Sequence, residues 1–411
     1  MNNANIWNAL SGNARGQLTS VSQDGCTTSY GYDSRGLPTS MNASGILTMN
    51  YSFTPAGNPD YRQDNLSNRE TFTYDSMNRL TGWTLFRNNV NQGTNTLAYN
   101  ATTGLISAKS DLGSSVMNYG EAGQPPHALT SVIGSQGLIS AEQQGITYTD
   151  FKKVAQITEA DHVLDITYGV GDQRIKTVLS NLSNPSGTLT RYYAGNYEEE
   201  IRGSVTRKIH YINGGNGLAA IFVQNAGNDT LYYAHTDYQG SLLALSLPNG
   251  TVRERYAFDP WGKRREPLNW TLPDNRTAFV LHRGYTLHEH LPEFNLINMN
   301  GRVYDPLVAQ FLSPDPRIAD MANSLDYNRY SYVRNNPLIY TDPTGEIFDP
   351  ISTIFLFFTD AGYKIQKWIS PVAVKGSFLP FGSNKAGIGI DASIGIPQVT
   401  PISYRVHGGA S

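Results

Sequence analysis

Two aspartates near the end of the chain, Asp315 and Asp342, have the clearest potential for chemistry, and each is followed by proline. Two carboxylates held close together cannot both ionise easily, so the pKa of one rises and that group keeps its proton. The ionised partner can then act as a general base towards water, and the protonated one as a general acid. Asp-Pro is also ordinary turn chemistry, because the Asp side chain bonds the backbone ahead and proline fixes φ. On spacing alone, turn capping therefore remains the alternative.

A second chemical interpretation concerns the stretch from Leu281 to Leu291. His288 and His290 are two residues apart, which on a strand puts both on one face and Glu289 on the other. The spacing matches neither His-Glu-x-x-His nor the zinc deaminase pattern, which also needs Cys-x-x-Cys. A metal at the two histidines is the alternative. We expect ordinary polar residues here, and no metal or other cofactor.

The segment that must position the two aspartates, residues 301–346, is dense in turn formers. Asp-Pro or Asn-Pro occurs four times, at Asp305-Pro306, Asp315-Pro316, Asn336-Pro337 and Asp342-Pro343. Each pair marks a turn. Short apolar or aromatic runs lie between the turns, which predicts a compact, turn-rich β module.

Upstream, residues 1 to about 180 carry a degenerate repeat whose clearest copies surround Tyr32-Asp33 and Tyr74-Asp75. A period of roughly twenty residues is typical of stacked supersecondary units. Each copy predicts a β-hairpin in which Tyr ends a strand, Asp opens the turn, and Gly or Asn takes the positive φ. One hairpin cannot bury its apolar face, so the units must stack into a sheet. We expect Asp33 and Asp75 to be turn formers.

Between the repeats and the turn-rich module, residues 190–265 continue as predicted strands. The strand-like runs are Arg191-Tyr192-Tyr193, Lys208 to Ile212, Ala219 to Val223, Leu231 to Ser241 and Arg255 to Gly262. They alternate with turn residues, as expected for an antiparallel sheet.

The motifs of the turn-rich module, taken in order, resemble the RHS repeat-associated core. They are Arg302-x-Tyr304-Asp305-Pro306, Phe311-Leu312-Ser313-Pro314-Asp315-Pro316, Asn328-Arg329-Tyr330-x-Tyr332, Asn335-Asn336-Pro337-Leu338 and Asp342-Pro343-x-Gly345. The upstream copies similarly resemble the YD repeat of RHS and Tc-toxin C-type proteins, with teneurins as distant relatives. The resemblance implies an all-β fold, in which stacked YD hairpins form part of a hollow β-shell.

The resemblance also implies a role for three residues. Asp315 and Asp342 match the two aspartates of a self-cleaving site, and Arg302 matches an arginine upstream of them. Cleavage is then expected at the Glu346–Ile347 bond. The family pattern has an apolar residue where this chain has Glu346, which adds a third carboxylate beside the bond. The physics suits such a site, because a tethered peptide replaces substrate binding by positioning.

The composition of the chain excludes several classes of protein and of site. The chain has 411 residues, a net charge of −3 and only 16% charged residues, so a chain-wide nucleic-acid footprint is not expected. Cys26 is the only cysteine, which rules out an internal disulfide and zinc ribbons. We find no signal peptide in this chain and no apolar run long enough for a membrane span.

After Glu346 the pattern changes. Asp349-Pro350 predicts a helix start, and apolar residues at steps of three and four predict an amphipathic helix over 351–368. Residues 387–390 and 393–396 alternate like a strand pair. By resemblance, the variable cargo or effector begins here, but no recognisable catalytic cluster is present.

We predict three parts: YD β-hairpin repeats over 1–265, the RHS core with the self-cleavage module over 266–346, and a variable, helix-containing appendix over 347–411. The function expected is a secreted or cell-surface shell of bacterial competition or toxin delivery, which encapsulates its own C-terminal segment and releases it by a single self-cleavage. About 180 residues of repeat are few for a closed shell. We therefore expect this chain to be the final turns of a shell or to need a further shell chain. An immunity protein and surface glycans are the other partners that the resemblance implies.

Two alternatives stay open. One is a cell-surface YD-repeat module that binds glycans or protein partners without cutting, and the other is an inactive remnant.

Overall fold

The structure, a computed structural model, describes residues 6–23, 25–113, 115–135, 139, 144–276 and 278–346, with short strands at 349–350, 375–377, 389–393 and 403–406. The described chain is built almost wholly from antiparallel strands and short turns. Two long meanders of hairpins pack against a turn-rich inner segment. This confirms the prediction of an all-β protein made of stacked hairpins.

The first meander is a 10-stranded sheet in which every strand pairs with its neighbour in sequence. Its strands are β1 (Asn8–Gly12), β2 (Leu18–Gln23), β3 (Cys26–Tyr32), β4 (Pro38–Ala43), β5 (Leu47–Phe53), β6 (Pro59–Asp64), β7 (Asn68–Tyr74), β8 (Leu80–Arg87), β9 (Val90–Tyr99) and β10 (Ile106–Lys109).

The turns of this sheet have the predicted chemistry. Tyr32 ends β3, and Asp33 Oδ1 accepts hydrogen bonds from the backbone N–H groups of Arg35 and Leu37 at 2.8 and 2.9 Å. Gly36 takes a φ of 90°, a conformation that residues with a Cβ adopt only with strain. Tyr32 Oη donates to the carbonyl of Leu18 at 2.9 Å, which ties this turn to the hairpin before it. Asp75 repeats the aspartate contacts in the other clear copy, where its Oδ1 accepts from the backbone N–H groups of Met77 and Arg79.

A two-stranded sheet of β11 (Val116–Tyr119) and β12 (Leu129–Ile133) follows the first meander. The second meander is an 11-stranded sheet, again in sequence order. Its strands are β13 (Gly145–Tyr148), β14 (Val154–Glu159), β15 (His162–Tyr168), β16 (Arg174–Asn181), β17 (Leu189–Ala194), β18 (Tyr197–Arg202), β19 (Val205–Gly214), β20 (Gly217–Asn225), β21 (Thr230–Thr236), β22 (Leu242–Ser246) and β23 (Val252–Arg255).

The inner segment follows β23 and holds a small sheet of four strands, β24 (Glu289–Leu291), β25 (Leu296–Asn298), β26 (Val303–Asp305) and β27 (Gln310–Phe311). Its compactness comes from tight turns. The 3₁₀ turns of the described chain are Ser110–Leu112, Glu121–Gly123, Pro185–Gly187, Tyr285–Leu287, Pro292–Phe294, Ser324–Tyr327 and Val333–Asn335.

Both meanders pack their apolar faces onto this inner segment. From the first sheet, Phe72 and Trp83 share a core with Trp261 and Leu338. From the second sheet, residues 154–166 contribute apolar side chains that pack against residues 291–303. Burial of this apolar area, at roughly 25 cal/mol per Å², is the main stabilising term for such an assembly. The inner segment is therefore the shared core of both sheets.

Beyond Glu346 the structure differs from two predictions. Asp349–Pro350 form β29, paired with β28 (Tyr340–Thr341), so Pro350 is not the first residue of a helix. The chain reverses in the turn after Thr341 and returns antiparallel to β28, where proline is tolerated in a short edge strand. The predicted helix over 351–368 lies outside the described residues.

The second difference concerns residues 389–393, which form a single strand, β31 (Gly389–Ser393). It pairs with β30 (Lys375–Ser377) and β32 (Ser403–Val406), and not as the predicted pair of 387–390 with 393–396.

Within the described residues, no helix has the length and apolar character needed to cross a bilayer.

Candidate active site

The structure brings together three residues that the sequence singled out. Arg302 stands just before β26, and its Nη2 lies 2.9 Å from Asp315 Oδ2 and 3.1 Å from Asp342 Oδ2. Both aspartates come from turns outside the small sheet, and the arginine side chain reaches across to join them. The three side chains form one charged cluster, which we call the Arg302 cluster.

Further contacts hold the guanidinium of Arg302 in place. Its Nε donates to the carbonyl oxygen of Gly345, and its Nη1 donates to the carbonyl oxygen of Arg329 at 3.0 Å. The group lies over the ring of Phe311, 3.6 Å from its centroid, in cation–π contact. Arg302 is only 5% exposed. Burial lowers its pKa and the two carboxylates oppose that shift, so the arginine remains charged.

The two aspartates have different surroundings. Asp342 is buried, and its carbonyl oxygen accepts a hydrogen bond of 2.9 Å from Nε2 of His288. Asp315 is half-buried, and its Oδ1 accepts from the backbone N–H of Arg317 at 2.8 Å. Burial raises the pKa of Asp315 although Arg302 pulls it down, so its carboxyl keeps a proton more readily than an ordinary aspartate. Asp315 thus caps a turn and also belongs to the charged cluster.

The turn after Asp342 is docked against the loop that carries Arg302. The backbone N–H of Gly301 donates to the carbonyl of Thr344 at 2.8 Å, and Gly345 has a φ of 72°. A Cβ on Gly345 would lie 2.1 Å from the carbonyl oxygen of Met299, closer than any real contact. Only glycine fits there, which gives the Asp-Pro-x-Gly motif a steric reason.

Glu346, the residue before the predicted cut, has a defined place in this arrangement. Its backbone N–H donates to Thr344 Oγ1 at 3.2 Å. Its carboxylate Oε1 lies 3.1 Å from Nζ of Lys153, a residue of the second meander. Ile347 lies outside the described residues, so the structure describes the predicted bond only from its Glu346 side.

A small polar cleft opens beside the cluster. Arg302, Asp315 and Asp342 line it, together with Arg317, Ala319, Asp326, Asn328, Arg329, Ser331, Val333 and Arg334. Such a cleft gives solvent water access to carboxylates that are otherwise buried, which hydrolytic chemistry requires.

The two histidines considered for a metal have backbone partners instead. Nε2 of His288 donates to the carbonyl of Asp342, and Nε2 of His290 accepts from the backbone N–H of Tyr285 at 3.1 Å. His290 also stacks on Phe258, with ring centroids 5.2 Å apart. Among the residues that the structure describes, no three histidine, cysteine, aspartate or glutamate side chains are grouped as a metal site needs.

The sequence did not reveal the buried ion pairs that join each sheet to the inner segment. Glu289 is 2% exposed and accepts from Arg191 at 2.8 Å and from Tyr193 Oη at 3.0 Å. Glu70 of the first sheet is bound by Arg62, at 2.7 Å, and by Arg265 of the inner segment. The available signal was the presence of charged residues at strand positions that also carry core residues. From the sequence alone, such residues cannot be distinguished from charged residues on a solvent-exposed face.

Known proteins resemble this chain in both sequence and fold. The family model described as the teneurin YD-shell matches residues 205–338. The tRNA3(Ser)-specific nuclease WapA of Bacillus spizizenii is 30% identical over 181 residues, which is 43% of this chain and 7% of that protein. Teneurin-m of Drosophila melanogaster is 28% identical over 131 residues, 31% of this chain and 4% of the relative.

Among solved structures, TcdB2-TccC3 matches with a TM-score of 0.65 and 17% identity, over 83% of this chain and 20% of that one. The Photorhabdus luminescens Tc holotoxin pore matches with a TM-score of 0.65 and 16% identity, over 83% and 19%. The chain thus spans about a fifth or less of these relatives. On fold, motifs and matches together, it is similar to RHS-type YD-repeat shell proteins.

Proposed function

We propose that this chain is part of a toxin-related shell that cuts its own backbone between Glu346 and Ile347 and so releases the segment that follows. The observation that carries the proposal is the Arg302 guanidinium. It bonds to both predicted carboxylates and to the carbonyl of Gly345, one peptide before the predicted cut. A turn-capping role alone gives no reason for two distant aspartates to share one buried arginine.

The chemistry we assign is hydrolysis of one peptide bond. Asp342 accepts a proton from water, whose oxygen attacks the Glu346 carbonyl carbon. Asp315, with its raised pKa, donates a proton to the leaving nitrogen, and the C–N bond breaks. The products are a new carboxyl end at Glu346 and a new amine at Ile347. Arg302 orients both carboxylates and fixes the peptide through Gly345.

The released segment is the cargo in this proposal. Relatives named as tRNA nucleases and a fold shared with Tc toxin structures support a role in toxin delivery, outside the producing cell. The chain's own C-terminal segment is the first partner we propose, and a further shell chain or an immunity protein is the next. A glycan-binding surface module that does not cut has less support, because it gives the Arg302 cluster no role.

Intact mass spectrometry of the purified chain tests the proposal. Wild-type protein is expected to yield a fragment ending at Glu346, whereas Asp315→Asn and Asp342→Asn stay whole. Asp305→Asn is the matched control, because Asp305 also precedes proline and caps a turn through Leu307 N–H at 2.8 Å, outside the Arg302 cluster. That variant is expected to cut like wild type. A wild-type chain that stays whole over days would overturn autoproteolysis.

A further inference from the structure

Lys153 lies far from Glu346 in sequence but reaches its carboxylate. It closes the turn between β13 and β14, in which the backbone N–H of Thr149 donates to the Lys153 carbonyl at 2.8 Å. The Nζ of Lys153 lies 3.1 Å from Glu346 Oε1 and donates to the carbonyl of Asp172 at 2.9 Å. The next repeat turn therefore fixes the direction of this lysine. The ammonium group points at the residue before the predicted cut.

Glu346 is also confined on its other side. A Cβ on Gly301 would lie 2.7 Å from Glu346 Cγ, so the glycine leaves the space that the glutamate side chain occupies. The side chains of Lys153 and Glu346 are 16% and 26% exposed. A pair this sheltered from water interacts more strongly than an ordinary surface ion pair.

The charge of Glu346 needs such a partner. The Glu346 carboxylate lies close enough to the Arg302 cluster to raise the pKa of Asp315. Burial is the largest cause of that rise, and the charge of Asp342 adds to it. Three carboxylates held close together repel one another, and a cation at ion-pair distance offsets that repulsion. For Asp315 and Asp342 that cation is Arg302, and for Glu346 it is Lys153 of the repeat sheet.

We infer that Lys153 and the gap at Gly301 form a seat that selects an acidic side chain immediately before the cut. This inference rests on the proposed autoproteolysis and names its substrate preference: a peptide with glutamate at position 346. It makes Lys153 a specificity-determining residue, and it gives a YD-repeat turn a part in the site. An apolar residue at 346, as the family pattern has, would remove the carboxylate that pairs with the lysine and leave it the carbonyl of Asp172.

A charge-swap series tests the seat, with the cut fraction followed by intact mass over time in the full chain. Glu346→Lys and Lys153→Glu are each expected to slow the cut about tenfold or more, since each 1.4 kcal/mol of lost positioning is a factor of ten. The double variant Lys153→Glu with Glu346→Lys is expected to recover most of the rate. Lys152→Glu, the same charge change on an exposed neighbour, is expected to stay within about twofold of wild type.

Two results would overturn the seat: Glu346→Lys cutting at the wild-type rate, or the double variant cutting no faster than the slower single. A wild-type chain that does not cut would instead overturn autoproteolysis. The seat is then judged by thermal unfolding of the same three variants in the Asp315→Asn background. There, recovery of the midpoint in the double variant supports a Lys153–Glu346 seat, and additive losses overturn it.

Discussion

His288 Nε2 donates a hydrogen bond of 2.9 Å to the carbonyl oxygen of Asp342. The strand β24 begins at the next residue, so the core of the inner segment holds the backbone of the second aspartate. Burial lowers the pKa of His288 to about 3, which keeps the ring neutral at physiological pH. His288 therefore acts as a fixed donor that positions Asp342, and the proton transfers we propose do not involve it.

Replacing His288 with alanine should weaken both stability and the proposed cut. The change leaves a buried carbonyl without its donor, which costs about 1–3 kcal/mol of unfolding free energy. Urea unfolding measures that cost, and intact mass measures the cut. His288→Gln keeps a donor and is expected to recover part of both. Equal behaviour of the alanine variant and wild type would show that the hydrogen bond has no positioning role.

Stability should fall as the pH drops from 7 to 6. Burial lowers the pKa of His235 to about 4 and the pKa of both His282 and His288 to about 3, and it holds the pKa of His290 well below its ordinary value. As the pH falls through about 6.5, these histidines bind protons in the unfolded chain but not in the folded protein. Their contribution to stability is therefore present above that pH and is lost as the pH falls. Linkage gives a loss of roughly 3 kcal/mol for the four.

Two carboxyls act in the opposite direction. Burial raises the pKa of Asp237 and of Asp305 to about 6, so the folded state gains protons there and recovers somewhat under 1 kcal/mol by the same linkage. The net expectation is a loss of about 2 kcal/mol between pH 7 and 6, measurable by urea titration at each pH. Constant stability across this range would contradict the burial of the histidines as neutral rings.

Glu70→Gln should be among the most damaging single changes in the first sheet. Glu70 is completely buried between Arg62 and Arg265, and removing its charge leaves two buried cations without their carboxylate. Breaking a buried ion pair in this way costs about 3–5 kcal/mol. Asp33→Asn is the matched comparison. It removes the exposed pair with Arg35 but keeps a turn-capping oxygen, so it should cost under about 1 kcal/mol. Similar losses for the two variants would refute the bridging role of Glu70.

Gly345→Ala should impair the site far more than the same change at Gly57. Both glycines have positive φ, 72° and 85°, so both variants carry the backbone strain of about 1 kcal/mol. Nothing lies within 4 Å of a Cβ at Gly57, whereas at Gly345 it meets the Met299 carbonyl. The turn must then move away from Arg302, and the cut is expected to slow at least tenfold beyond the Gly57→Ala control. Rates and unfolding midpoints together separate this loss from general instability.

Local chemistry was the part of the fold that the sequence could reveal. Asp33 and Asp75 cap turns as predicted, because the hydrogen bonds of such a turn are made within five residues. The prediction that Pro350 is the first residue of a helix was wrong, since Pro350 lies in a strand that pairs with β28. The division at residues 265 and 346 and the catalytic roles of Asp315, Asp342 and Arg302 stay predictions.

The candidate site could be predicted only in part, because some of its contacts join residues that are far apart in the sequence. The motif order indicated Arg302 and the two aspartates, but Lys153 and His288 reach the site from other elements. Their roles depend on how the second sheet packs against the inner segment, a long-range relation that no local pattern encodes. The Glu289 and Glu70 networks were hidden in the same way.

In both meanders the strands are arranged in sequence order, so they can pair one after another as the chain is synthesised. Each new strand finds its partner in the strand just synthesised, so sheet growth keeps pace with the ribosome and needs few distant encounters. The junction of Lys153 with Glu346 is different, because it exists only once the second meander and the inner segment have met. The site of the proposed cut is therefore complete only after both sheets have packed on the inner segment, so the proposed release of the C-terminal segment would follow complete folding.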